Sequence, residues 1–100
     1  MLYAIMAEDA AGSAQRRLAV HSSHAQRVEQ LLSDGRLILA GPFPAIDSPE
    51  PGTAGVTGNL IVAEFDSLEQ AQAWIDADPY VTEGVFSKVN VKPFLQKAPV

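Results

Sequence analysis

The chain has 100 residues, no cysteine and a formal net charge of −5 at pH 7, with 12 acidic against 7 basic residues. This length suits a single domain over residues 1–100, and an apolar share of 47% excludes an intrinsically disordered chain. The acidic balance argues against a nucleic-acid surface, and the lack of cysteine excludes a disulfide scaffold, a thiolate nucleophile and a Cys-ligated metal.

The N-terminal segment predicts a strand and no targeting signal. Leu2–Ala7 is a short apolar run that ends at the acidic pair Glu8-Asp9. A signal peptide would need a basic start and a longer apolar stretch, and no run approaches the ~20 residues of a membrane span. We therefore expect a cytoplasmic protein that does not enter a membrane.

A helix, a strand and a long loop follow. Apolar residues recur with helical spacing over Ser13–Asp34, and Gly35 is well placed to end this helix. Leu37–Ala40 predicts a second strand, which Gly41-Pro42 stops. The prolines and glycines of Pro42–Gly58 predict a flexible loop that is long enough to cover a pocket.

The second half of the chain continues the alternation of strand and helix. Asn59–Phe65 predicts a third strand. Ser67 and Gln70 have the spacing of a capping box, which opens a helix over Leu68–Ala77. The alternating residues of Val85–Phe94 predict a fourth strand.

The element order β-α-β-β-α-β is that of a ferredoxin-like fold. It predicts an α+β protomer in which a four-stranded antiparallel sheet carries both helices on one face. A tail over residues 95–100, beyond the fourth strand, is expected to be loosely ordered.

Both faces of this sheet are apolar over three strands. Strict alternation gives these opposing sets: Leu2, Ala4 and Met6 against Tyr3, Ile5 and Ala7; Leu37 and Leu39 against Ile38 and Ala40; Leu60 and Val62 against Ile61, Ala63 and Phe65. Two helices cover only one face, so the other apolar face stays open. We predict that a second copy covers it, which gives a homodimer packed sheet to sheet.

His24 is the better placed of the two histidines, and two interpretations of its surroundings remain open. In one continuous helix it shares an apolar stripe with Val20, Val28, Leu31 and Leu32. If the helix restarts at Ser23, with Gln26 completing a capping box, His24 lies in the first turn, where the helix dipole favours neutral imidazole. His24 is then either a core histidine held by a backbone carbonyl or a general base, while His21 is expected to be an exposed helix residue.

Asp78-Pro79-Tyr80 also admits two interpretations. Asp at an N-cap followed by Pro is typical of the start of a short helical turn, here one that ends before Gly84. Because both helices of this topology lie on one sheet face, Asp78 could also approach His24. A carboxylate on one imidazole nitrogen would fix the tautomer and leave the other nitrogen for acid–base chemistry.

Other motifs carry less chemistry. The glycines of Gly52-x-x-Gly55-x-x-Gly58 are followed by no helix and no Lys-Ser/Thr, so they predict loop flexibility and not phosphate binding. No nucleophile elbow supports a serine hydrolase. His21 and His24 are not accompanied by a carboxylate pattern, so we predict no metal site.

Taken together, these segments resemble the YciI-like family over nearly the whole chain, to about Phe94. The segments that carry the resemblance are Met1-Leu2-Tyr3, Arg17-Leu18, His24, Gly35-Arg36-Leu37, Ala40-Gly41-Pro42, Gly58, Ala63-Glu64-Phe65, Ala71-Gln72-Ala73-Trp74, Asp76-Ala77-Asp78-Pro79-Tyr80 and Val91-Lys92-Pro93-Phe94.

The resemblance implies a dimeric α+β barrel of ferredoxin-like protomers and an active site built on a His-Asp pair, which falls on His24 and Asp78. Some members resemble dehydrochlorinases of chlorinated hydroxyquinols, and the wider superfamily includes cofactor-free isomerases and monooxygenases. Such chemistry suits a site without cysteine or metal, in which an imidazole moves a proton.

Two functions are compatible with these expectations. The first is a cofactor-independent lyase or isomerase acting on a small cyclic or aromatic molecule, with His24 as general acid/base oriented by Asp78. Tyr80, Gly41 and Pro42 would then line the pocket, and Arg17 would face an anionic substrate group. The alternative is a non-catalytic dimer module that binds a small molecule or regulates a partner through the same pocket.

Overall fold

The computed structural model describes residues 1–99, in which four strands and three helices follow one another. These elements are β1 (Leu2–Asp9), α1 (Ala14–Ser33), β2 (Leu37–Pro44), β3 (Val56–Glu64), α2 (Leu68–Asp76), α3 (Pro79–Thr82) and β4 (Phe86–Phe94). The strands form one antiparallel sheet in the order β2-β3-β1-β4. The ferredoxin-like α+β fold expected from the sequence is therefore confirmed.

The core lies between one face of the sheet and the three helices. Ile5 of β1 lies opposite Ile61 of β3 and Val91 of β4, so these strands present their apolar residues to the same side. Leu31 of α1 and Ile75 of α2 pack on this side and are almost fully buried. Burial of such side chains contributes about 1.5–3 kcal/mol each, so this layer is the main source of stability.

The strands are longer than their apolar runs suggested. β1 continues through Asp9, and β2 runs through Gly41-Pro42 to Pro44 instead of stopping at Ala40. Proline lacks an amide hydrogen, but β2 is an edge strand, where a missing donor is tolerated. The predicted loop is correspondingly shorter, and it contains a 3₁₀ turn at Gly52–Ala54.

An irregularity in β2 overturns the expectation that Leu37 and Leu39 share a face. Leu37 pairs with Ala63 and Leu39 with Val62, which are neighbours in β3 and point to opposite sides. The extra residue between them is the mark of a β-bulge. Leu37 consequently packs against the core, whereas Leu39 lies on the outer face of the sheet.

The outer face of the sheet, opposite the helices, is the apolar surface that the sequence predicted. At its centre Ala4 of β1 lies opposite Val62 of β3. Leu39 is 47% exposed and Phe43 is 41% exposed on β2 at its side. We call this surface, centred on Ala4, Val62, Leu39 and Phe43, the outer apolar face.

The helix boundaries follow local chemistry. The hydroxyl of Ser67 accepts a hydrogen bond from the amide of Gln70 at 3.1 Å, which confirms the predicted N-cap of α2. Gly35 follows α1 with a positive φ of 71°, as a terminating glycine does. Among residues 1–99, no helix has the length and apolar character needed to cross a membrane.

Gly58 is the glycine with the least tolerance for a side chain. Its φ is 158°, and an added Cβ would overlap the carbonyl oxygen of Ala7 on the neighbouring strand. We predict that Gly58→Ala lowers the free energy of unfolding by about 3 kcal/mol or more, because the β1–β3 ladder must open. Equilibrium urea unfolding measures the change.

Gly35→Ala is the matched control, because Gly35 also has a positive φ, 71°, but has open space where a Cβ would lie. This variant should lose only about 1–2 kcal/mol, the cost of the left-handed conformation. Equal losses in the two variants would contradict the close approach at Gly58.

Candidate active site

His24 lies midway along one continuous helix. Because α1 runs unbroken over Ala14–Ser33, the alternative in which the helix restarts at Ser23 is wrong. His24 therefore belongs to the buried stripe of α1, with 5% of its surface exposed, and is not in a first turn. The dipole of a helix start is too far away to act on its ring.

Asp78 occupies the junction between α2 and α3. Its backbone is extended, with φ −71° and ψ 139°, and one carboxylate oxygen accepts the amide hydrogen of Tyr80 at 2.9 Å. The predicted N-cap is thus confirmed, with Pro79 in the first helical turn. The residue is fully buried, so its charge needs partners within the protein.

The first of these partners is His24. Its Nδ1 lies 2.9 Å from Asp78 Oδ1 and 3.0 Å from Oδ2. An ionised carboxylate can only accept, so Nδ1 must carry the hydrogen and donate it. The two interpretations of Asp78 are therefore compatible, since the same carboxylate caps α3 and holds the imidazole. The other ring nitrogen, Nε2, has no hydrogen-bond partner among residues 1–99 and is open to solvent.

Arg27 is a second partner, which sequence reasoning missed. Its Nη1 donates to Asp78 Oδ2 at 2.9 Å, while its Nη2 donates to the carbonyl oxygen of Trp74 at 2.8 Å. The guanidinium lies over the Trp74 ring, 4.4 Å from its centroid. Arg27 lies one turn after His24, but nothing in the sequence shows that the α2–α3 junction comes within its reach.

These contacts keep Asp78 ionised. Burial acts to raise the pKa of the Asp78 carboxyl, but the hydrogen bond and charge of His24, the Tyr80 amide and the Arg27 charge together lower it. The carboxylate is therefore negative at neutral pH.

Tyr80 connects the two histidines. Its ring stacks on His24 with centroids 4.1 Å apart, and its hydroxyl oxygen lies 2.9 Å from His21 Nδ1. Burial raises the pKa of the Tyr80 hydroxyl, although the nearby Arg17 charge acts in the opposite direction. His21 is exposed, as predicted, but its contact with Tyr80 was not foreseen.

Arg17 is held more tightly than the sequence suggested. Its Nε and Nη2 donate to the two carboxylate oxygens of Asp9, each at 2.9 Å, and Nη2 also donates to the side-chain oxygen of Asn59. The guanidinium lies 4.6 Å from the centroid of the Tyr80 ring. Only its Nη1 has no hydrogen-bond acceptor among residues 1–99, so most of its capacity to bind an anion is already used.

A cavity of about 270 Å³ opens beside this cluster, and we call it the histidine cavity. It brings together His24 and the four residues expected to contact a substrate, which are Arg17, Gly41, Pro42 and Tyr80. Asp78 is not part of the wall, because it lies behind the imidazole. The rest of the wall is mostly apolar and includes Ala25, Val28, Leu32, Leu37 and Ala40.

A second and larger cavity of about 730 Å³ adjoins it, and Arg17 and His21 line both. The larger cavity lies between the β1–α1 loop and the Gly52–Thr57 segment. The long loop therefore does line a cavity, as its length suggested. Among residues 1–99, no group of three or more His, Cys, Asp and Glu side chains is arranged to hold a metal ion.

Comparison with known proteins places this chain in a family. The model of the YCII-related domain matches residues 1–95. The protein YciI of Escherichia coli is 56% identical over 94 residues, which are 94% of this chain and 96% of that protein. This chain belongs to the YCII-related family. A relative from Haemophilus influenzae is 46% identical over the same shares of the two chains.

One solved structure with this fold is that of an enzyme. The 5-chloro-2-hydroxyhydroquinone dehydrochlorinase TftG from Burkholderia phenoliruptrix, in complex with 2,5-dihydroxybenzoquinone, superposes with a TM-score of 0.84. The sequences are 23% identical, and the match covers 95% of this chain and 94% of the other. The likeness shows a common fold.

Protonation of Asp78 at acidic pH should lower the free energy of unfolding of this YCII-related domain. A carboxyl group whose pKa is lower in the folded than in the unfolded chain adds stability above its ordinary pKa of about 4. That stability is lost as the pH falls through the folded value. We predict a fall in the free energy of unfolding as the pH drops below about 5, measured by urea unfolding at several pH values.

Asp78→Asn should remove this part of the pH dependence and should lower the free energy of unfolding at pH 7 by on the order of 3 kcal/mol. Asp76→Asn is the control, because Asp76 is exposed and its carboxylate accepts a hydrogen bond from the side chain of Gln72 on the helix surface. The interpretation is wrong if Asp78→Asn and the wild type lose stability in parallel on acidification.

Proposed function

We propose that this chain is a cofactor-independent enzyme that moves a proton on a small cyclic or aromatic molecule, as a lyase or isomerase does. The observation that carries the proposal is the orientation of His24. Its Nδ1 is held by a buried carboxylate, and its Nε2, which has no hydrogen-bond partner within the described residues 1–99, belongs to a ring that lines the histidine cavity. A base needs this combination of a fixed tautomer and an open nitrogen.

Asp78 supports the reaction without touching the substrate. When Nε2 takes a proton, the imidazolium is stabilised by the carboxylate 2.9 Å from Nδ1. Arg27 binds the same carboxylate and, with the Tyr80 amide, fixes its position. Positioned acid–base groups of this kind contribute about 10²–10⁴-fold to a rate.

The substrate class follows from the wall of the histidine cavity. Its apolar side chains suit a flat ring, and Gly41 adds no side chain to obstruct the entry of one. The hydrogens of the free Nη1 of Arg17 are donors that can stabilise an oxygen on the ring, while Tyr80 forms part of the wall beside them. An enolate or phenolate formed beside them would be lowered in energy by these donors.

The proposed chemistry balances without a redox step. Nε2 of His24 accepts a proton from a carbon or hydroxyl of the ring, and the electron pair left behind enters the ring system. In a lyase that pair expels a leaving group such as chloride, so that the sum is loss of HCl. In an isomerase the imidazolium returns the proton to another carbon. Chlorinated hydroxyquinols are the first substrates to test, because TftG is described as a dehydrochlorinase of one.

The test is chloride release from 5-chloro-2-hydroxyhydroquinone and related chlorinated hydroxyquinols under anaerobic conditions. We predict that His24→Gln lowers kcat by about 10²-fold or more, because the base is lost. Asp78→Asn should lower kcat by about 10²-fold, because the imidazole loses its orientation. Asp76→Asn is again the matched control and should be as active as the wild type.

Unchanged rates in both His24→Gln and Asp78→Asn would refute the mechanism. If the wild type binds these compounds, with shifts in the His24 ring signals, but releases no chloride and forms no isomer, the chain is better described as a binding module. That outcome would favour the regulatory or ligand-holding dimer over the enzyme.

We also propose that two copies of the chain pack through the outer apolar face. Ala4 and Val62 at its centre do not belong to the core cluster beneath the helices, although each is at most 9% exposed, and Leu39 and Phe43 on β2 are more than two-fifths exposed. An exposed apolar surface of this extent is normally covered by a partner, and one self-complementary patch is enough for a two-fold dimer.

In analytical ultracentrifugation the wild type should therefore sediment as a dimer at micromolar concentration. Leu39→Glu should shift the equilibrium towards the monomer, because it brings a charge into the proposed interface. Leu68→Glu is the matched control, since Leu68 is 44% exposed but lies on α2, on the helix side of the sheet. A monomeric wild type, or equal behaviour of both variants, would contradict the proposed interface.

A further inference from the structure

The start of α1 opens into the larger of the two cavities and has unpaired donors. The backbone amides of Ala14, Gln15 and Arg16 have no acceptor among residues 1–99, whereas that of Arg17 donates to the carbonyl oxygen of Ser13. Free amides and the dipole of a 20-residue helix together favour a negative charge at this point.

Ser13 is an independent sign of a ligand at the same place. It is 3% exposed and lines the larger cavity, yet its hydroxyl makes no cap hydrogen bond and has no partner among residues 1–99. Its backbone has φ −92° and ψ 1°, so it does not adopt the extended conformation in which a serine caps its own helix. Among residues 1–99 no polar side-chain atom is both sealed from solvent and without a partner, so the Ser13 hydroxyl is accessible, and the side on which it is accessible is the cavity.

The charges around the cavity do not oppose an anion. Within the described part of the chain Asp9 is the one carboxylate in the wall, and both of its oxygens accept hydrogen bonds from Arg17. The pair is therefore neutral overall, and Arg17 retains its unused Nη1 at the boundary between the cavities. No acidic residue lies in the first turn of α1 to compete for its amides.

The composition of the wall of the larger cavity indicates which chemical group the bound anion should have besides its charge. Apart from the polar groups above, it is largely made of small or apolar side chains, namely Ala10, Ala11, Ala14, Leu18, Ala54 and Val56. A small inorganic anion would leave this apolar surface in contact with water, whereas an acid with an apolar body would cover it.

We propose that the start of α1 binds the carboxylate of a small organic acid, whose apolar body packs in the larger cavity. The Ser13 hydroxyl and the amides of Ala14, Gln15 and Arg16 are the donors. Ser13 precedes His24 by 11 residues, a distance of about 16 Å along the axis of α1, so these donors lie apart from His24 although the two cavities adjoin at Arg17 and His21. It does not depend on the function proposed for His24.

The test follows the backbone amide signals of ¹⁵N-labelled protein during titration with benzoate, acetate, benzyl alcohol and inorganic phosphate. We expect saturable shifts at residues 14–16 with benzoate, and at least about tenfold weaker binding of the other three. Benzyl alcohol lacks the charge, acetate lacks the apolar body, and phosphate lacks both the carboxylate and the apolar body.

Two variants at Ser13 separate this site from general anion binding. Ser13→Ala removes one donor and should weaken benzoate about three- to tenfold. Ser13→Asp adds a carboxylate that competes for the same amides and should abolish saturable shifts at residues 14–16. Ser67→Ala, the same change at the N-cap of α2, should leave benzoate binding unchanged, because the Ser67 hydroxyl already serves its own helix.

His24→Gln should also bind benzoate at residues 14–16 as the wild type does, so failure of the proposed catalysis and failure of this site are distinguishable. The proposal is overturned if benzoate causes no saturable shift at residues 14–16, or if benzyl alcohol or phosphate binds there as tightly. Wild-type affinity in Ser13→Asp would overturn it as well.

Discussion

The structure depends on one buried charge, the carboxylate of Asp78. It is fully buried at the point where α2 ends and α3 begins, and it is compensated from three directions by His24, Arg27 and the amide of Tyr80. Two of these partners lie on α1, so the carboxylate joins the three helices over one face of the sheet. The geometry of the candidate site is thus a consequence of how the helices are held together.

This arrangement links folding to function in a simple way. His24, the proposed base, is held in one tautomer by the same carboxylate that begins a four-residue helix, a helix too short to persist without help. The side chain of Arg27, anchored on Trp74, prevents the carboxylate from turning away from the imidazole. The proposed catalyst is therefore preorganised by contacts that the fold needs in any case.

Much of this could be predicted from the sequence, because local signals were strong. Ser67 and Asp78 predicted helix starts because their own side chains cap those helices, and the element order predicted the sheet topology. What escaped prediction depends on distant partners: the bulge beside Leu37 is set by pairing with β3, and the contacts of Arg27 join residues about 50 positions apart. No periodicity in one segment can report such a contact.

The packing of Tyr80 has a consequence for motion. Its ring is fully buried, with the His24 imidazole stacked on it and the Arg17 guanidinium close above the ring plane. A half-turn of the ring about its Cβ–Cγ axis leaves the hydroxyl in place, but it needs transient room between α1 and α3. The rate of that half-turn therefore reports how often α1 and α3 separate transiently beside His24.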